Sequence, residues 1–256
     1  MIKLSNVSKS YSGETQIGPI DLEIPSGGIT ALIGPNGAGK STMLTMIGRL
    51  LDVDEGTIEV AGYDVSSTKS QDLAKILSIL RQENHFITKL TVRQLVGFGR
   101  FPYSQGRLTA EDEDIVSRYI DFFHLGELEN RYLDELSGGQ RQRVWVAMVL
   151  AQQTPLMLLD EPTTFLDIAY QIDLLELCAE LNKTGGRTLV AVLHDLNHAC
   201  RYADHIIAMK AGAIVAEGRP ADIITADLVR DVFGLPCRII DDPESHTPLV
   251  IPLVRR

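Results

Sequence analysis

The sequence predicts an α/β protein with a buried parallel sheet, an antiparallel β region near the N-terminus and an inserted α-helical segment. Two unbroken apolar runs of strand length, LMLLD and TLVAVLH, enclose the helix-like stretch IAYQIDLLELCAELNK, which is the pattern of a βαβ unit. Short alternating segments dominate the first third of the chain. Helical periodicity dominates residues 91–153, and these three observations together define the fold class.

The first third is expected to form short strands separated by turns. The stretches IKLSNVS, IGPIDLEIP and GTIEVAGYDV alternate in polarity and are divided by SGE, PSGG and DEG. Embedded among them, ITALIG predicts an apolar strand, GPNGAGK a glycine turn and STMLTMIGRLL a helix. This order of strand, loop and helix is the one that a phosphate-binding loop requires.

The remaining elements complete the predicted domain. ILSIL, at residues 76–80, predicts a strand that ends at Arg81 and Gln82, and the tail from Asp204 predicts short strands and turns. We predict a single domain over residues 1–256, with a nucleotide-binding α/β core at 1–85 and 154–256 and a helical subdomain at 86–153.

Composition excludes several classes of function. A formal net charge of -10 argues against a partner made of nucleic acid, because such binding depends on clustered Lys and Arg. The three cysteines are scattered and predict reduced thiols, which favours the cytosol. The N-terminus lacks a secretory signal, and no apolar run reaches 18 residues, so we expect a chain that does not cross a membrane unaided.

The stretch from Gly34 to Ser41 matches the spacing of a P-loop. Its glycines let successive backbone N–H groups turn towards phosphates, and the following helix directs its positive end at the same anion. Lys40 is expected to reach the β- and γ-phosphates of ATP, and Ser41 to ligate Mg²⁺. The predicted nucleotide-binding residues of this loop are Gly34, Pro35, Asn36, Gly37, Ala38, Gly39, Lys40, Ser41 and Thr42.

Polar side chains that could complete the chemistry follow three predicted strands. Asp160 ends a buried strand and is expected to hold Mg²⁺ through its water shell, while Glu161 points elsewhere and acts as base or positions water. His194 follows another buried strand and can donate to a γ-phosphate. The amide of Gln82 is a candidate for contact with the metal or the attacking water.

A second candidate phosphate site lies in LSGGQ. Ser137, Gly138 and Gly139 precede a helix predicted to start near Gly139, so a hydroxyl, exposed amides and the helix dipole converge there. An ordinary N-cap is the alternative, although two glycines are more than a cap needs. Such a site would close over a γ-phosphate, either in the same chain or in a second copy.

GPNGAGKST, Gln82, LSGGQ, LMLLDEP, FLD at residues 165–167 and His194 occur in this order, and together they resemble the ATP-binding cassette of ABC transporters over essentially the whole chain. The resemblance implies a P-loop NTPase fold with a RecA-like mixed-sheet core. It also implies a homodimer stacked head to tail, in which LSGGQ of one chain, including Gln140, covers ATP on the P-loop of the other.

Three further roles come from this resemblance. It implies that Tyr11 stacks on adenine, that Asp167 works at the dimer interface and that Gln82 links ATP to a polytopic membrane permease. The stretch KLTVRQLVGFGRFPY, with G-R-x-P at residues 99–102, and the tail DVFGLPCRIIDDPESHTPLVIP are similar to importers of ferric siderophores and cobalamin. FLD departs from the SALD form that is common elsewhere in the superfamily.

We therefore predict an ATPase subunit that drives import of a ferric siderophore from the cytoplasmic face of the inner membrane, with an extracytoplasmic substrate-binding protein as indirect partner. Alternatives are an importer of haem, cobalamin or a metal ion, or a cassette protein of DNA repair or translation. The permease is expected to dock on the region between Gln82 and Pro102, through exposed apolar side chains. Five apolar residues are candidates, and about half of them are expected to belong to the core of the helical insert instead. The set is Phe86, Ile87, Phe98, Phe101 and Tyr103.

Overall fold

The computed structural model describes residues 1–10, 16–82 and 89–253. Its strands are β1 Ile2–Ser10, β2 Gln16–Ile24, β3 Ile29–Ile33, β4 Glu55–Val60, β5 Tyr63–Asp64, β6 Leu77–Leu80, β7 Leu156–Asp160, β8 Thr188–Val192, β9 His205–Lys210, β10 Ala213–Gly218, β11 Cys237–Asp241 and β12 Pro248–Pro252. Its α-helices are α1 Lys40–Ile47, α2 Ser70–Ile76, α3 Val92–Phe98, α4 Phe101–Ser104, α5 Ala110–Phe122, α6 Gly138–Ala151, α7 Ile168–Gly185, α8 Leu196–Tyr202, α9 Pro220–Ile223 and α10 Ala226–Phe233.

A six-stranded sheet forms the centre of the protein. Its strand order is β10-β9-β3-β8-β7-β6, and all neighbours except β10 and β9 run parallel. The two apolar runs predicted to flank a helix are β7 and β8, which pair directly with Leu156 opposite Thr188. The predicted βαβ unit is therefore confirmed.

Both faces of this sheet are covered by apolar side chains. Along β3, Ala31 and Ile33 belong to one buried cluster and Leu32 belongs to the other, as expected when successive side chains point to opposite faces. The first cluster is completed by α6, α7 and α8 and the second by α1 and the N-terminal strands. The strands that carry the site are thus anchored from both sides.

The antiparallel β region predicted near the N-terminus is also confirmed. Its four strands follow the order β2-β1-β4-β5, and every pair is antiparallel. Alternation in β1 buries Ile2 and Leu4, and a register shift between Leu4 and Val7 brings Val7 into the same cluster. This sheet delivers Ile17, in β2, to the neighbourhood of the glycine loop.

The predicted helical stretch contains α3, α4, α5 and α6, of which α3, α5 and α6 pack on one another. Arg100 is a buried anchor among them: its Nε donates to Asp112 Oδ1 at 2.8 Å and its Nη1 donates to the carbonyl of Ala151 at 2.9 Å. Gly99 is required beside it, because a Cβ there would lie 2.2 Å from the carbonyl oxygen of Met148. These contacts give the G-R-x-P stretch a packing role that its sequence does not reveal.

Three parts of the secondary structure differ from the prediction. Helix α2 immediately precedes β6, which starts at Leu77, and the tail contains α9 and α10 in addition to strands. Both α2 and α10 are short, and α10 buries only Val229 and Val232, so neither fills a sequence window long enough to establish helical periodicity. The helix after the glycine loop ends at Ile47 and does not extend to Leu51, because Arg49 takes φ +53° and the backbone N–H of Leu50 donates to the carbonyl oxygen of Thr45 at 2.9 Å, which closes the last turn.

Within the described ranges, no helix combines the length and the apolarity needed to cross a membrane.

Candidate nucleotide-binding and hydrolysis site

The glycine loop lies at the carboxyl edge of the central sheet, between the end of β3 and the start of α1. A cavity of about 760 Å³ opens above it. Gly34 has φ +148°, and a Cβ there would lie 2.2 Å from the carbonyl oxygen of Met209, so only glycine fits this close approach to β9. Gly39 takes a left-handed conformation as the N-cap of α1. The cavity is lined by Ile17, Asn36, Gly37, Ala38, Gly39, Lys40, Ser41, Thr42, Gln82, Glu161, Thr164 and His194.

Lys40 is folded back onto the loop that it follows. Its Nζ donates to the carbonyl oxygens of Gly34 at 2.8 Å and Pro35 at 2.9 Å. Burial lowers the pKa of the ammonium, while the charges of Glu161 and Asp160 oppose that shift. The cation therefore sits beside two carboxylates and within the lining of the cavity, where a phosphate can replace the carbonyl contacts.

Asp160 and Ser41 meet beneath the cavity. The hydroxyl of Ser41 donates to Asp160 Oδ1 at 2.8 Å, joining residues 119 positions apart. Burial raises the pKa of Asp160, the charge of Glu161 adds to this, and the bond from Ser41 opposes it. The predicted position of Asp160 at the end of a buried strand is the observed one.

Glu161 and His194 form a second pair at the same edge. Glu161 Oε1 lies 2.6 Å from His194 Nε2, and both residues line the cavity. Glu161 has different partners from Asp160, as expected, but strand alternation is not the reason. It lies just beyond β7 and takes φ +50°, and this backbone turn directs the carboxylate over the loop.

Of the remaining predicted contact residues, Gln82 lies at the cavity and three others fall outside the described part of the chain. Gln82 is exposed and lines the cavity two residues after β6. Tyr11, Phe86 and Ile87 lie outside the described residues. Ile17 and Thr164 line the cavity without having been predicted; Thr164 could have been found from its place in DEPTT beside Glu161, whereas no local signal marks Ile17.

The stretch LSGGQ at residues 136–140, called the signature from here on, forms the N-cap of α6, the signature helix, away from the cavity. Ser137 Oγ accepts from the backbone N–H of Gln140 at 3.3 Å, and Gln140 Oε1 accepts from that of Ser137 at 2.9 Å, which makes a capping box for α6. The helix begins at Gly138, one residue before the predicted start. Among the described residues that line the cavity, none comes from 137–140.

The two glycines of the signature differ in their surroundings. A Cβ on Gly139 would lie 2.9 Å from the carbonyl oxygen of Phe165, so this glycine permits close packing within the chain. A Cβ on Gly138 would meet nothing within 4 Å. Gly138 therefore faces open space at the positive end of α6, where an anion can approach.

Asp167 lies on an exposed surface between the site and α7. It is the N-cap residue of α7 and makes no side-chain capping bond. Its neighbours Phe165 and Ile168 are 75% and 77% exposed, which is unusual for large apolar side chains. This arrangement favours a surface that is covered by another molecule.

The described side chains around Ser41 fit a magnesium ion. A hydroxyl and a carboxylate oxygen lie 2.8 Å apart, and the amide of Gln82 lines the same cavity. Oxygen ligands of this kind, few in number and combined with phosphate oxygens, are what Mg²⁺ prefers.

Comparison with known proteins agrees with this geometry. The family model for ABC transporters matches residues 17–164. The petrobactin import ATP-binding protein FatE of Bacillus anthracis is 60% identical over 243 residues, which are 95% of this chain and 97% of that protein. The ferric enterobactin transport ATP-binding protein FepC of Escherichia coli K12 is 49% identical over 247 residues, covering 96% of this chain and 91% of FepC.

Solved structures show the same fold. A metal-chelate type ABC transporter in an inward-facing conformation aligns with a TM-score of 0.80 at 26% identity, covering 99% of this chain and 97% of the other. A dimeric ATP-binding cassette in a post-hydrolysis state with ADP and phosphate aligns with a TM-score of 0.78 at 32% identity, covering 86% of this chain and 98% of the other.

Proposed function

The chain belongs to the ABC transporter family, and we propose that it is the ATP-hydrolysing subunit of an importer of a ferric siderophore. The observation that carries the ATPase role is the convergence of Lys40, Ser41, Asp160, Glu161 and His194 at one sheet edge. The iron-siderophore class is supported by the relatives named for petrobactin and ferric enterobactin.

Hydrolysis follows from the placement of these groups. The backbone N–H groups of the loop and the start of α1 bind the phosphates, and Lys40 exchanges its carbonyl contacts for phosphate oxygens. A magnesium ion held by Ser41 and Asp160 would neutralise charge on the β- and γ-phosphates. Glu161 orients or deprotonates the attacking water. His194, whose Nε2 lies 2.6 Å from Glu161 Oε1, donates to the γ-phosphate.

A second copy of the chain completes the site. The open space at Gly138 and the exposed side chains of Phe165, Asp167 and Ile168 form a surface that the described residues of the same chain do not cover. We place this surface over the cavity of a second copy, with Ser137 and Gly138 against its γ-phosphate. The dimeric cassette among the similar structures supports this arrangement.

The permease docks on the helical subdomain. A groove of about 590 Å³ lies among α3, α4 and α5, and its apolar lining includes Leu90, Phe98, Phe101 and Leu108. Phe98 and Phe101 stack with ring centroids 6.5 Å apart and remain exposed at the rim. A groove of this shape suits an amphipathic helix of a membrane protein, whose apolar residues would cover these rings.

This assignment places the chain at the cytoplasmic face of the membrane as a peripheral subunit. The substrate would be delivered to the permease by a binding protein, from the side of the membrane opposite to this chain. Specificity for the cargo then belongs to the permease and the binding protein, and this chain supplies the energy of ATP binding and hydrolysis.

Reconstitution tests the proposal. The chain is purified with the polytopic permease that it binds, placed in vesicles, and assayed for ATP hydrolysis with and without a binding protein loaded with ferric siderophore. We expect the loaded binding protein to stimulate hydrolysis and ATP to drive uptake of radioactive iron. Stimulation by cobalamin or haem but not by ferric siderophores would refute the cargo, and absence of hydrolysis would refute the ATPase role.

A further inference from the structure

The backbone immediately after Glu161 is held in an unusual conformation. Glu161 and Phe165 both take positive φ, at +50° and +65°, although neither is glycine. Non-glycine residues persist in this region only when their surroundings force them to do so. The position of the Glu161 carboxylate therefore depends on the contacts that hold residues 161–166.

Some of these contacts lie within the segment. The backbone N–H of Thr164 donates to the carbonyl oxygen of Glu161 at 3.2 Å, and the Thr164 hydroxyl donates to Glu161 Oε2 at 3.2 Å. They shape the turn but do not attach it to the rest of the protein. Attachment requires a group from another element.

Gln142 supplies such a group from α6. Its Nε2 donates to the carbonyl oxygen of Pro162 at 3.2 Å, and the side chain is buried, with 8% of the residue exposed. Pro162 is the residue directly after Glu161. Because the bond is excluded from water, loss of the donor would leave the Pro162 carbonyl without this partner. It would remove one of the bonds that attach the segment to other elements; another is the bond from Gln171 Nε2 of α7 to the carbonyl oxygen of Leu166 at 2.8 Å.

The same helix begins with the signature stretch. Gln142 lies one turn after Gly138, and between them Gly139 packs closely against the carbonyl oxygen of Phe165. Helix α6 thus touches the segment after Glu161 at two points while its N-terminus faces outward. A rigid helix joins the two regions.

We propose that Gln142 is a positioning residue for hydrolysis, which fixes the Glu161 carboxylate by tying the segment after it to the signature helix. The proposal rests on the proposed function, in which the signature contacts ATP on a second copy. It follows that closure of α6 on the partner's nucleotide and placement of Glu161 in the chain's own site are one movement. Gln142 is not one of the described residues that line the cavity.

The test separates turnover from binding in the full chain assembled with its permease. Gln142→Met keeps the volume and removes the donor, and we expect kcat to fall about tenfold, the factor that corresponds to about 1.4 kcal/mol of activation free energy. KM for ATP should be unchanged. ATP-induced dimerisation in a Glu161→Gln background should also be unchanged, because the signature and the P-loop remain intact. Gln142→Leu, another apolar side chain of similar size that cannot donate, replaces Gln142→Met if that variant does not fold.

A second glutamine of the same helix provides the matched control. Gln152, at the C-cap of α6, donates its amide to the carbonyls of Ala74 at 2.6 Å and Leu77 at 3.3 Å, at the opposite edge of the sheet. Gln152→Met should leave kcat unchanged. Three results would overturn the proposal. They are a normal kcat in both Gln142 variants, an equal fall of kcat in Gln152→Met, and a rise in KM for ATP together with loss of the ATP-induced dimer. Absence of hydrolysis in the unmodified chain would instead refute the proposed function.

Discussion

Replacement of Glu161 by glutamine is the most direct test of the hydrolysis site. The substitution keeps the side-chain shape and one of the two oxygens, which can accept from His194 or from Thr164, the partners of Glu161 Oε1 at 2.6 Å and of Oε2 at 3.2 Å. It removes the negative charge that would orient or deprotonate water. The Lys40 and Ser41 contacts remain, so the nucleotide-binding groups are unaltered.

The magnitude follows from what a positioned base contributes. General-base catalysis is worth about 10²- to 10⁴-fold, so we expect hydrolysis to fall by at least ~100-fold. Burial raises the pKa of Asp160, and the charge of Glu161 adds to this shift. Removal of that charge lets the pKa fall, which favours the ionised form that Mg²⁺ needs. ATP affinity should therefore survive, and the loss should appear in kcat.

The assay measures phosphate release by the assembled transporter and ATP binding by the isolated chain at equal Mg²⁺. Glu176→Gln is the matched control, because Glu176 is exposed and its Oε1 accepts from the hydroxyl of Tyr202 at 3.1 Å, outside the residues that line the cavity. We expect normal turnover in that variant. Turnover near the normal rate in Glu161→Gln would refute the role of this carboxylate, and loss of ATP binding would refute the separation of binding from chemistry.

The remaining predictions concern assembly, docking and acid stability. In the Glu161→Gln background, Gly138→Asp should abolish the ATP-induced dimer seen by size-exclusion chromatography, because the new carboxylate repels the γ-phosphate. Gly126→Asp, which also lies in open space, should leave the dimer intact, and a dimer in both variants would count against the trans arrangement. Phe101→Asp should prevent co-purification with the permease while ATP binding persists. Phe122→Asp, at a ring that is 39% exposed and outside the groove, should co-purify normally, and equal co-purification of the two variants would exclude this docking surface. The hydrogen bond from Thr109 to Asp112, and to a smaller extent the contacts with Arg100, lower the pKa of Asp112 in the folded protein. The ionised Asp112 therefore stabilises the fold above about pH 4, and this contribution is lost as the pH falls through the folded-state pKa. Thermal unfolding of Asp112→Asn should accordingly depend less on pH below about 4 than that of the unmodified chain, and identical slopes would contradict this assignment.

Motifs that act through their own local backbone could be predicted from the sequence. The glycine loop requires a strand, a tight turn and a helix in direct succession, and β3, the loop and α1 have that order. The apolar runs of β7 and β8 likewise predicted neighbouring parallel strands, because a strand buried on both faces has no polar positions. Asp160 and His194 were placed at one edge by this topology alone.

Contacts between distant segments were decided by the tertiary structure. The backbone turn at Glu161, the arrival of Ile17 from another sheet and the bond from Gln142 to Pro162 depend on packing that no local periodicity encodes. The same holds for the two signature glycines, which are equivalent in the sequence. The structure distinguishes them because the carbonyl of Phe165 occupies the space beside Gly139 and leaves Gly138 open. Local propensity specifies which residues can form a turn or a cap, but only the packing of the elements determines which surface remains for a partner.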